Sequence, residues 1–204
     1  MSYSQIGQDK EVVKYYKEKQ NGFFVEIGAS DGIKFSNTLL LEKKYNWKGI
    51  CVEPIPKNYQ LLCKNRPNSI CCDKAVYNTT DMDVVFDIAN YDLLSGISSN
   101  IDCHKIEVDK KKTQITVKTI TLNDLLDYYN APLFIDYLSL DTEGSELEIL
   151  KNVNFNKYKF GLIDVEHNYV EPRRTEIRKL LTSNNYIYIK ENKFDDCYKY
   201  SNVF

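Results

Sequence analysis

The residues with the most chemistry in them come in short runs at strand ends. Glu26-Ile27-Gly28-Ala29-Ser30-Asp31-Gly32 follows the apolar Phe23-Phe24-Val25, and Gly49-Ile50-Cys51-Val52 ends in Glu53-Pro54. The spacing is that of a strand, a glycine turn, a helix and a second strand whose terminal carboxylate reaches a ribose diol. It predicts a pocket for a nucleoside-bearing cofactor. A dinucleotide turn keeps its helix N-terminus free of anions so that the dipole faces the pyrophosphate. Here Asp31 in the turn and Glu26 before it would repel a diphosphate and attract a cation. S-adenosylmethionine (SAM) carries a sulfonium and an ammonium beside its adenosine, so the charges favour SAM over NAD. The alternative is a glycine turn in a doubly wound domain with no ligand, which leaves the position of Glu53 unexplained.

Further acids follow two later apolar runs. Asp141-Thr142-Glu143-Gly144-Ser145-Glu146 comes after Leu133–Leu140, and Glu166-His167-Asn168-Tyr169 after Phe160–Val165. Open parallel sheets bind ligands beyond the carboxyl ends of their strands. Asp164 and Glu166 alternate with Ile163 and Val165, so both acids share one face of a strand that should be buried. Buried carboxylates are costly unless paired, hydrogen-bonded or metal-bound, and several in one crevice point to a functional site. Helix capping, with Thr142 as N-cap and acids in the first turn, accounts for Glu146 but only partly for Asp141 and Glu143. His167 is one of two histidines. Methyl transfer to a hydroxyl needs the oxygen's proton removed as the bond forms, and His167 or Asp141 is a candidate base, with Glu143 and Glu166 beside them. Tyr169, Glu171, Arg173 and Arg174 lie where an acceptor could be gripped.

These groups need a scaffold to converge. Helical spacing of Val12, Val13 and Tyr16 predicts an amphipathic helix over 8–18. Strands follow at Phe23–Ile27, Ile50–Glu53 and Ser69–Val76, with helices over Ser36–Tyr45, where Ser36 is a possible cap, and from Pro56 through Cys63. This alternation argues for a parallel sheet with helices on both faces. Residues 77–114 break the rhythm and read as a hairpin or loop insertion. Ile115–Ile120 is a strand, Thr121-Leu122-Asn123-Asp124 opens a helix through Tyr129, and Leu133–Leu140 is the fourth core strand. A helix over Glu143–Lys151, a strand over Phe160–Val165, a helix over Pro172–Thr182 and a late strand at Tyr186–Ile189 complete the chain. The last strands should pair antiparallel and close one edge. The fold class is therefore α/β, a Rossmann-like doubly wound, mostly parallel sheet in one domain.

With 204 residues, 43% of them hydrophobic, the chain can bury roughly 70% of its unfolded surface without staples. Its six cysteines have no CxxC spacing, which suits neither a zinc site nor a disulfide framework and suggests reduced intracellular thiols. The residues from Met1 to Gln20 contain no apolar leader, and no apolar run is long enough to span a bilayer, so a cytoplasmic protein without membrane insertion is expected. Formal net charge is -2. The one tight basic run, Lys110-Lys111-Lys112, reads as a solvated loop, so no nucleic-acid partner is expected.

The chain resembles the FkbM-type SAM-dependent methyltransferases, a class I branch that mostly modifies hydroxyls of sugars and natural products. The resemblance runs through Ser4-Gln5-Ile6-Gly7-Gln8-Asp9, Phe24 to Gly32, Ser36-Asn37-Thr38, Gly49 to Pro54, Leu140 to Glu146 and Val165-Glu166-His167-Asn168. It implies that Glu26 and Gly28, Ala29, Ser30, Asp31 and Gly32 hold the methionine moiety, with Asn37 nearby. Glu53, followed by Pro54, would take the ribose, Gln5 and Gln8 would close over the cofactor, and Asp73 or Ala75 would meet the adenine. Some related O-methyltransferases bind a divalent cation at this strand end. Asp141, Glu166, His167 and Asn168 could do likewise with magnesium or manganese.

The expected activity is O-methylation of a sugar or glycan hydroxyl, either free-standing or within a larger glycan-synthesis polypeptide or complex. The absence of an Asp/Asn-Pro-Pro-Tyr/Phe motif after the fourth strand argues against methylation of nucleobase amines. Rival readings are a non-catalytic SAM- or sugar-binding module of a glycan assembly system and a nucleotide-cofactor oxidoreductase.

Overall fold

Central strands that are apolar along their length must be covered on both faces, and four such runs form the middle of the main sheet. A computed structural model describes residues 2–202. Strands β1 (Phe23–Ile27), β2 (Lys48–Val52) and β3 (Ile70–Cys72) run parallel to one another, and β8 (Phe134–Leu140) and β9 (Lys159–Glu166) continue the sheet from the other side of β1. β10 (Tyr186–Asn192) and β11 (Asp195–Tyr200) add an antiparallel edge, giving the order β10-β11-β9-β8-β1-β2-β3. The doubly wound expectation and its antiparallel edge hold.

Strand alternation sorts the side chains into two cores. On one face Val25, Ile27, Ile50, Val52, Leu138, Leu140, Ile163 and Val165 pack under α5 (Leu122–Tyr128), α6 (Glu146–Lys151) and α7 (Arg173–Ser183), which contribute Leu125, Leu126, Ile149, Leu150, Ile177 and Leu181. On the other, Phe24, Cys51, Tyr137 and Leu162 meet Val12 of α1 (Gln8–Tyr15), Leu41 of α2 (Leu39–Tyr45) and Leu62 of α3 (Pro56–Asn65), with Trp47 closing the base.

Several boundaries differ from expectation. The predicted third strand divides: after β3 the chain turns at Asp73-Lys74, and β4 (Ala75–Val76) pairs with a different sheet. That sheet is built by the segment read as an insertion. β5 (Asp83–Ala89), β6 (Gly96–Ile97) and β7 (Lys112–Ile120) join β4 in the order β4-β7-β5-β6, with a 3-10 turn at Asp92–Leu94 and α4 (Lys105–Lys110) between them. Ile55, Ala75, Phe86, Ile97 and Val117 form its own core, so tertiary burial rather than the main sheet claims β4. Lys110 and Lys112 pair with Glu107, Asp87 and Asp109.

Helix starts also shift. α2 begins at Leu39, and Ser36 Oγ accepts from the Leu39 amide at 3.1 Å from outside the helix. α6 begins at Glu146 rather than Glu143 because residues 142–145 form a turn. Thr121 caps α5 as expected, its hydroxyl accepting from the Asp124 amide at 3.1 Å.

Two glycines set how closely the segments approach. Gly28 has φ +90° and abuts β8, so a Cβ would overlap the carbonyl oxygen of Asp141. Gly144 has φ +126°, and a Cβ there would overlap the Asn100 carbonyl, which brings the second sheet against the loop after β8.

Candidate active site

The carboxyl ends of β1, β2, β8 and β9, roofed by the second sheet, enclose a cavity of about 310 Å³. This volume lies at the lower end of the range for small-molecule sites, about 300–1,000 Å³. Of the predicted cofactor residues, Gln5, Gln8, Glu26, Gly28, Ala29, Ser30, Asn37, Glu53, Pro54 and Ala75 line it. Asp31, Gly32 and Asp73 do not. Asp31 turns its Oδ1 to the amides of Ile33 and Lys34, at 2.9 and 2.8 Å, and so organises the turn rather than facing a ligand. Gly32 packs on Leu62 and Arg66, and Asp73 is exposed where the chain leaves the main sheet.

The glycine turn is built from backbone. The amides of Gly28 and Ala29 both donate to the Val52 carbonyl, at 3.1 and 2.9 Å, which joins the ends of β1 and β2. Glu53 then accepts from the Ser30 amide at 3.0 Å and the Ile55 amide at 2.8 Å. Its carboxyl is buried, and loss of solvent raises its pKa to about 7 despite those two bonds.

Glu26 supports the wall. It accepts from the Asn37 amide (2.6 Å), Thr38 Oγ1 (2.6 Å) and Ser36 Oγ (3.0 Å), and the fully buried Arg66 binds the same loop through Ser36 and Thr38. This network presents Asn37. Its Nδ2 donates to Ser139 Oγ at 2.8 Å, and its buried Oδ1 has no hydrogen-bond partner among the described residues.

Opposite lies the acidic wall. The ligand oxygens of Asp141, Glu143 and Glu166 all lie within 4.8 Å of one another. Among the described residues Glu166 Oε2 is buried with no hydrogen bond, and Glu143 Oε2 meets Asn168 Nδ2 at 3.5 Å and His104 Nε2 at 3.8 Å. Loss of solvent, then repulsion from Glu146, raises Asp141 to about 7, although its contact with Glu166 lowers it. Loss of solvent and repulsion from Asp141 and Glu146 raise Glu143 to about 9, and loss of solvent with repulsion from Asp141 and Glu143 holds Glu166 well above the usual carboxylate range. Asp195 behind them rises to about 8 for the same reasons, although Gln8 Nε2 donates to it at 2.9 Å. Thr142 is not the N-cap of α6, a position held by Ser145; Glu146 Oε1 instead accepts from the Thr142 amide and hydroxyl and from the Gly144 amide and so closes the turn before the helix.

His167 does not join them. Its ring lies outside the cavity, with Nδ1 accepting from the Tyr169 amide at 2.9 Å and Nε2 3.5 Å from Asp196 Oδ1. Burial lowers its pKa and favours the neutral ring. The strand period explains this: Val165 and His167 share one parity and Glu166 the other, and the His167 amide continues the ladder to the Phe194 carbonyl at 2.8 Å. Asn168 does line the cavity. Tyr169, Glu171, Arg173 and Arg174 do not, and both arginines are held in ion pairs, Arg173 with Asp102 and Glu146, Arg174 with Glu191 and Asp196.

Sequence reasoning missed the roof. Phe86, Tyr91, Leu94, Ile97 and His104 reach the cavity from the second sheet and its turns, and Lys34 and Phe35 stand at the mouth. No local pattern marks these residues, because their placement depends on pairing between distant strands.

The arrangement is a nucleoside-sized cavity with an apolar end at Ile55, Ala75 and Phe86 and an acidic end at Asp141, Glu143 and Glu166. Solved structures of similar fold are methyltransferases. Precorrin-6y C5,15-methyltransferase from Geobacter metallireducens is 10% identical, covering 94% of this chain and 86% of that one, with TM-score 0.51. The N-terminal domain of human METTL16 is 10% identical over 97% and 69%, with TM-score 0.52. Human methyltransferase 10 domain containing protein is 9% identical over 98% and 85%, with TM-score 0.50. At these identities the likeness is one of fold. No curated protein sequence matches. The Methyltransferase FkbM domain matches residues 26–188, from Glu26 of the glycine turn into β10, and on that match the chain belongs to the FkbM methyltransferase family.

Proposed function

We propose that the protein is a SAM-dependent O-methyltransferase acting on a hydroxyl of a sugar or glycan. The observation that carries this reading is the group of three carboxyls, Asp141 half-buried and Glu143 and Glu166 buried, facing a nucleoside-sized cavity with no arginine or lysine paired to them among the described residues. The cavity fits the cofactor the family implies. Glu53 would take the ribose hydroxyls, the unpartnered Asn37 Oδ1 would accept from the ammonium, and the apolar end at Ile55, Ala75 and Phe86 would receive the adenine. When bound, SAM supplies an electrophilic methyl carbon on a sulfonium.

The remaining work falls to the chain. It must hold an acceptor oxygen in line, an alignment that can remove roughly 7–11 kcal/mol of barrier, and it must take the hydroxyl's proton. Asp141, with a pKa of about 7, is ionised often enough at neutral pH to accept that proton. Glu143 and Glu166, protonated there, donate hydrogen bonds to the acceptor's other oxygens. His167, turned toward Asp196, takes no part in this scheme. The same three carboxyls offer the oxygen ligands that magnesium or manganese prefers, and a bound cation would displace their protons.

Calorimetric titration with SAM, S-adenosylhomocysteine and NAD, with and without magnesium or manganese, tests the pocket. Transfer of labelled methyl to a panel of sugars tests the reaction. Micromolar binding of the first two ligands but not NAD, followed by base-stable label on sugar, is the expected result. Binding without transfer to any hydroxyl would favour a non-catalytic module.

A further inference from the structure

A second concave surface lies on the outer side of the molecule, where α1 and α2 pack together and leave a groove of about 650 Å³. Lys10, Lys14, Lys17, Lys43 and Lys44 line it, all exposed, over a floor that includes Val13, Leu40 and Tyr45. Lys43 Nζ lies 5.4 Å from the centre of the Tyr3 ring and Lys44 Nζ 5.4 Å from that of Tyr45. None of the five lysines forms an ion pair among the described residues. The acids of the same helices are engaged elsewhere: Asp9 accepts from the Tyr3 amide and the Ser4 hydroxyl, Glu11 pairs with Lys190, and Glu42 with Arg66. Among the described residues Glu18, beyond the end of α1, is the one acid that borders the groove. Five positive charges face one negative on a chain of formal net charge -2, so the concentration is local and not a property of the whole surface.

The groove adjoins the mouth of the cavity. Tyr3 borders the groove, Gln5 lines the cavity, and Ser4 between them bridges to Phe35 at the mouth. We propose that the groove is an exosite for a phosphate-bearing glycan, whose phosphodiesters lie along the lysines while a neutral sugar of the same chain reaches Asp141. This rests on the acceptor class argued above. Five ammonium point charges without an arginine fork suit spaced phosphates more than planar carboxylates. RNA fits less well, because its backbone would carry a phosphate at every nucleotide toward three carboxyls. A membrane surface fits less well too, because none of the large exposed hydrophobic residues lies on α1 or α2.

The test is fluorescence anisotropy at about 150 mM salt, where surface charges beyond about 8 Å are screened. The probes are a labelled phosphomannan oligosaccharide, its dephosphorylated form, polygalacturonate, a single-stranded oligonucleotide of equal charge and phosphatidylglycerol vesicles. The phosphomannan should bind more tightly than every other probe, and K14E/K43E/K44E should weaken it at least about tenfold while S-adenosylhomocysteine binding stays unchanged. Equal binding of the dephosphorylated form, tighter binding of polygalacturonate, oligonucleotide or vesicles, or a triple variant that binds phosphomannan normally would each overturn the exosite. Failure of the unmodified protein to bind S-adenosylhomocysteine would instead overturn the cofactor reading, and the phosphomannan result would stand apart from it.

Discussion

Two acidic groups flank the end of β9, and they are solved in opposite ways. On one side Asp141, Glu143 and Glu166 converge without a strong cation, and their pKa values rise. On the other His167, Glu191 and Asp196 are equally close, but Arg174 and Arg178 reach Asp196 at 2.7 and 2.8 Å. Those bonds outweigh burial and lower the pKa of Asp196. Charge neutralised from within the chain serves the fold. Charge left uncompensated beside a cavity is held for something that arrives from outside.

The comparison is broken most directly at Asp141. Asp141→Asn should lower turnover by about two to four powers of ten while S-adenosylhomocysteine binding and the fold survive, because the amide is isosteric and carries no buried charge. Initial rates beside titrations check this, and near-normal turnover would move the base elsewhere. Asp196→Ala should act on stability instead. It strands Arg178, leaves Arg174 with Glu191 alone and costs about 2–3 kcal/mol, below the roughly 3–5 kcal/mol of a fully buried pair because Arg178 is 40% exposed. Urea unfolding measures the loss, and turnover per folded molecule should hold.

pH sharpens the same contrast. Asp141, Glu53, Asp195 and Glu143 have folded pKa values of about 7, 7, 8 and 9, above the roughly 4 of an unfolded carboxyl. Between pH 4 and 9 the folded chain therefore binds more protons than the unfolded one, and stability falls as pH rises through that window. The melting temperature should drop from pH 5 to pH 9, by about 2–4 °C for each kcal/mol lost, and Asp141→Asn should flatten the drop. Asp196 has the opposite sign, since its contribution is lost only as pH falls below the usual carboxylate range. The smallest effect is expected at His167. His167→Gln should change turnover by less than about tenfold, the equivalent of about 1.4 kcal/mol, and a larger loss in steady-state assays would restore the histidine as a base.

The main sheet was legible because its signals are local. Apolar runs ending in Gly28, Glu53, Asp141 and Glu166 mark strands and their carboxyl ends within a few residues. The position of His167 was also readable: the alternation that turns Glu166 into the cavity turns the next side chain out of it. The roof was not legible. β4 and β7 pair across more than forty residues, and no residue between them states that register. Glu26 lines the cavity, and its bonds to Ser36, Asn37 and Thr38 depend on a loop whose path no periodicity describes.

The close approach at Gly144 has a consequence for how this site can diversify. Because the backbone at Asn100 touches the turn that carries Glu143, lengthening or shortening the segment between β6 and α4 would displace an acidic side chain it does not contain. Insertions and deletions in a peripheral loop would thus reshape the acidic end of the cavity, with the apolar end at Ile55, Ala75 and Phe86 left as it was.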